Sequence, residues 1–112
     1  MKCPCSPLDL TTSRLKANMN EIASLWRVHR DASWPKVSTL HEGELMTLDT
    51  VISGCVTYYL ESVDGLDAQR VAILEDCLSD LEGLLPDLDR ETGAYFDRLR
   101  TLACLLLARP AI

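Results

Sequence analysis

The side chains able to do chemistry in this chain are scattered: five cysteines, two histidines and seventeen acids. Cys3 and Cys5 flank Pro4, and two thiolates that close are able to share a soft metal ion or close into a strained bridge. Zinc ribbons and thioredoxin-like sites put two residues between their cysteines and add further ligands or a strand-and-helix setting, which this segment does not supply. The plainer expectation is a flexible tail over residues 1–6. Cys55 and Cys77 stand singly at the edges of apolar stripes, where cysteine packs as a small hydrophobe.

The histidines do not form a site with their sequence neighbours. Ferritin-like bundles need Glu-x-x-His on two helices, so that a carboxylate and an imidazole one turn apart face the same metal. Here Trp26 stands three residues before His29, and Ser38 three before His41. His41-Glu42-Gly43-Glu44 stops short of a His-Glu-x-x-His zinc motif and reads better as a loop entering a helix with acids at its positive end. Cys3, Cys5 and His41 are the candidate metal ligands, each without a supporting cluster, and no metal or other cofactor is expected. His29 continues the step of seven from Leu8 through Leu15 and Ile22. It belongs at the edge of the core near a helix end, as a cap or a satisfied core histidine.

Nine acids face only Arg70 and Arg90 between Asp64 and Glu91, a local charge of −7. Asp76 and Asp80 lie one turn apart opposite the apolar stripe of their segment, facing solvent or a cationic partner. Nucleophilic catalysis needs a base positioned on the nucleophile, and no motif in the chain specifies such a constellation; the five glycines stand alone rather than in a phosphate-cradling loop. A non-enzymatic chain is the expectation.

The elements that must position these groups are helical. Large apolar residues recur at steps of three and four, which is the helical period. The expected helices span about 8–30, 44–63, 67–85 and 87–108, with residues 31–43 a long loop. Ser6-Pro7 or Thr11 and Thr12 are candidate starts for the first helix, Asp67 caps the third, and Asp64-Gly65 and Pro86 break the chain. An antiparallel four-helix bundle follows, or alternatively a three-helix unit with helix one packed on a dimer mate.

The chain has 112 residues with 47% hydrophobic residues, which suits one domain with one core. Its net charge of −6 repels a phosphate backbone, so nucleic acid is not an expected partner. The start lacks the apolar run of a signal peptide, and Leu102 to Ala108 is far shorter than the roughly 20 residues a membrane span needs. With cysteines too sparse for a secreted disulfide scaffold, a cytoplasmic protein without membrane contact is expected.

Two surfaces stand out. From Thr50 to Leu60 helix two has no charge, and its side away from the stripe offers Thr50, Ser53, Gly54 and Thr57 beside Tyr58. An exposed helix face ordinarily carries Lys, Glu and Arg, so this one asks for cover, either from the loop bearing Trp34 and Leu40 or from another molecule. At the end of helix four, Cys104, Leu105 and Leu107 make the helix apolar nearly all round. Both faces point to a homodimer acting through protein–protein interaction. The alternatives are a small-ligand or metal binder using the bundle interior or Cys3 and Cys5, and an acidic inhibitor or antitoxin-like regulator whose Asp76 and Asp80 face meets a basic partner.

Overall fold

The computed structural model describes residues 12–37 and 40–108, with side chains from residue 20 onward. Among these residues it is a four-helix, all-α bundle without strands: α1 (Thr12–Asp31), α2 (Glu42–Glu61), α3 (Ala68–Leu84) and α4 (Arg90–Leu107). The expected starts for helix one at residues 6–11, and the Cys3 and Cys5 tail, lie outside the described residues. None of the four helices is long and apolar enough to cross a membrane.

Local chemistry fixes the ends. Asp67 and Asp89 are extended at the caps of α3 and α4, and each accepts a backbone N–H three residues on, from Arg70 and Thr92, at 2.8 Å. These bonds satisfy donors that a helix start leaves open. They also hold both carboxyls below their ordinary pKa, the backbone hydrogen bond being the main cause. The expected start of helix four at 87 is therefore corrected to Arg90. A 3₁₀ turn over Leu85–Asp87, with Pro86 in its first turn, joins α3 to α4.

Helix two was expected to reach residue 63 and ends at Glu61. Ser62 turns extended, donates its hydroxyl to the Gly65 carbonyl and accepts the Asp64 N–H, while Gly65 takes a φ of 79°. That left-handed angle suits glycine because it lacks a Cβ. Val63, read as part of the apolar stripe, is fully exposed as a result, and Leu66 turns into the core instead.

The packing differs from a bundle in which every helix keeps one side in water. α4 packs against α1, α2 and α3, whereas α1 and α3 do not touch among the described residues. As the central helix, α4 buries Tyr95, Phe96, Leu99, Leu102, Ala103, Cys104, Leu105 and Leu106. α2 contributes Leu45, Leu48, Ile52 and Val56, α3 contributes Leu74, Leu78 and Leu81, and α1 contributes Ile22. Burying a side chain of this size is worth roughly 1.5–3 kcal/mol, so these stripes decide the fold.

Candidate functional site

The residues of chemical interest separate into a buried polar node and an open groove. The node joins three helices. His29, near the end of α1, is 3% exposed, and its Nε2 lies 2.8 Å from Asp49 Oδ1 on α2. From α4, Arg98 Nε donates to His29 Nδ1 at 3.2 Å, and the Tyr95 hydroxyl donates to Asp49 Oδ2 at 3.0 Å. Because Nδ1 accepts from a guanidinium, the neutral ring carries its proton on Nε2 and gives it to the carboxylate. Rings enclose the node: Tyr95 lies 4.5 Å from the imidazole centroid, and Trp34 sits edge-on to both Tyr95 and Phe96 at 5.6 Å. Burial, followed by the charge of Asp49, pushes the Tyr95 hydroxyl up to about 12, so it remains a donor at neutral pH.

The node resembles an acid–base pair in composition but not in access. Both ring nitrogens are occupied and the ring is shut away from solvent, so there is no lone pair to take a substrate proton. What it does is hold the end of α1, the Trp34 loop and α4 together. His29 is thus the satisfied core histidine expected from its spacing. Its partners Asp49, Tyr95 and Arg98 were not anticipated. One signal was available: Asp49 stands four residues after Leu45 and three before Ile52, an acid beside an apolar stripe that needs a buried partner.

Trp34 is committed to α4, and Leu40 is fully exposed. The loop therefore does not cover the uncharged face of α2 with these side chains. That face borders an open cavity of about 490 Å³ lined by Val51, Gly54, Cys55, Thr57, Tyr58 and, at its end, Glu61 from α2 and by Gln69, Arg70 and Ile73 from α3. A second cavity of about 290 Å³ lies along the same pair of helices, between Gly43, Glu44, Thr47 and Leu48 and Asp80. The late part of α2 meets the start of α3, and the early part of α2 meets its end. The two helices run antiparallel, and the cavities are two stretches of one seam. Arg70 lies 3.8 Å over the Tyr58 ring and bonds Asp67 at 2.6 Å, so its charge is partnered at the groove edge. Of the expected interface residues, Gly54, Thr57 and Tyr58 line the groove; Thr50 is exposed and Ser53 half-buried on the same helix.

The other expected interface residues behave differently. Cys104 and Leu105 are buried in the single chain and Leu107 is half-buried, so their apolar character finds its cover without a second copy. Cys104 is disulfide-bonded, not a free thiol. Cys55 and Cys77 are free, and burial, the largest cause for each, raises both thiols. Desolvation of this kind suppresses the reactive thiolate, which agrees with reading both as packing residues.

His41 is half-buried just before α2 and bonds Glu44 at 3.0 Å, and no group of three His, Cys, Asp or Glu among the described residues could hold a metal ion. Asp76 and Asp80 are exposed on α3, Asp80 at the edge of the second cavity. Comparison with protein families, curated proteins and solved structures finds no match.

Proposed function

We propose that this chain is a non-enzymatic helical interaction module whose working surface is the seam between α2 and α3. The observation that carries the reading is the uncharged outer side of α2, open along a cavity of about 490 Å³ although the loop expected to cover it packs on α4 instead. A helix face that carries no charge from Thr50 to Leu60 and lines a groove there has the composition of an interface core. In the pair His29 with Asp49 the imidazole is shut from solvent and both its nitrogens are engaged, which favours binding over catalysis.

The test is site-specific photo-crosslinking in the native host, with the photoreactive side chain at Gly54 and, as a control, at Glu91 on α4. Protein adducts formed from position 54 and not from 91 are expected. Equal labelling at both positions, or none, would sink the reading.

Self-association through the same face is a second reading, favoured by Gly54, where an added Cβ would meet nothing within 4 Å and a second backbone has room to approach. Thr57→Glu places a charge on that face and should shift a dimer towards monomer without unfolding it. A monomer by light scattering at micromolar concentration for the unmodified chain removes this second reading.

A further inference from the structure

Resting on the reading that the α2–α3 seam is the binding surface, we propose that its occupant is a basic amphipathic helix from another protein. From α2 the seam is bordered by Glu44, Thr47, Val51, Gly54, Tyr58 and Glu61. These recur at alternating steps of three and four, the spacing with which one helix receives another. Their span from 44 to 61 is roughly 26 Å at 1.5 Å per residue, the length of a helix of about 18 residues.

Charge selects the occupant. The middle of the seam is uncharged, with Val51 and Gly54 opposite Ile73, which is itself 39% exposed. Its ends are acidic, with Glu61 at one and Glu44 and Asp80 at the other, and Asp76 is exposed on α3 between Ile73 and Asp80. The one base on the border, Arg70, is taken by Asp67 and Tyr58. A helix with an apolar stripe and lysine or arginine beside it meets apolar surface in the centre and an opposite charge at each end.

A second copy of this chain fits worse. Pairing α2 with α2 antiparallel brings Glu44 of each copy against Glu61 of the other; parallel pairing sets each glutamate against its own counterpart. Either arrangement joins like charges, between molecules that each carry −6.

The test uses a displayed library of 18-residue peptides with apolar residues fixed at helical spacing and the other positions drawn from Lys, Glu, Gln and Ser, selected on the immobilised full chain. Gly54→Trp serves as the blocked control. Position 54 is exposed, an added Cβ meets nothing within 4 Å, and any non-proline residue restores helix propensity, so this variant should fold. The selected peptides are expected to be net positive, to bind Gly54→Trp at least tenfold more weakly, and to lose about tenfold on a Glu44→Gln, Glu61→Gln, Asp80→Asn variant. Groove-dependent peptides without a lysine bias would overturn the basic partner while leaving the seam as a binding surface. So would a dimer of the unmodified chain that Gly54→Trp dissociates. Selection of no peptide, or of peptides indifferent to Gly54→Trp, would overturn both.

Discussion

Asp49 ties three helices at one side chain, because one carboxylate answers both the buried His29 of α1 and Tyr95 of the central helix. Removing an acceptor that satisfies two buried donors costs more than removing either donor. Asp49→Ala is therefore expected to destabilise the fold by about 2–6 kcal/mol in urea denaturation, since two groups are stranded and each costs roughly 1–3 kcal/mol. Tyr95→Phe leaves no stranded donor and should cost about 1 kcal/mol. Equal losses for the two variants would show that the node is not shared in this way. The raised Tyr95 hydroxyl has its own signature in an ultraviolet titration: ionisation near 12 that Tyr95→Phe removes. Because the fold favours the neutral phenol, this contribution is full below the ordinary value of 10 and is lost as pH rises through about 12.

At the scale of the element, the helix starts and the mid-helix glycine of α2, Gly54, are the informative places. The lowered carboxyls of Asp67 and Asp89 favour the charged form in the folded state. Their contribution is present above the ordinary value of 3.8 and is lost as pH falls through the lower folded value. Replacing both with Ala should flatten the acid side of a stability-against-pH curve and leave the neutral side lower; an unchanged acid limb would count against the caps. Gly54→Ala offers the opposite effect. It lies inside a helix with free space at Cβ, so the substitution should stabilise the chain by about 0.5–1 kcal/mol in the same denaturation experiment. That the native residue is nevertheless glycine accords with a surface kept low for a partner.

For the molecule as a whole, the central position of α4 makes its far end a matter of folding. Leu105→Glu puts a charge where the native side chain is 9% exposed, and the expected outcome is loss of cooperative unfolding, seen by circular dichroism. A folded variant with altered oligomeric state would return that end of α4 to the interface reading. Leu102→Ala, at a site with no exposure, should cost about 2–5 kcal/mol through the cavity it leaves.

What the sequence determined by itself was the part governed by neighbours along the chain. Four helices follow from the three- and four-residue steps of Leu45, Leu48, Ile52 and Val56 or Leu74, Leu78 and Leu81, and the Asp67 cap and the break at Gly65 are local chemistry of the same kind. His29 was legible as a satisfied core residue from its place in a stripe. Tertiary structure alone decided which acid satisfied it, because His29, Asp49 and Tyr95 lie 20 and 46 residues apart and no periodicity spans that distance. It also decided the fate of two surfaces that look alike as text. The apolar end of α4 is buried because that helix sits among the other three, while the uncharged face of α2 borders an open seam because Trp34 packs on Tyr95 and Phe96 instead. A stripe records how much cover a helix needs, whereas which neighbour supplies it depends on the arrangement of all the helices at once.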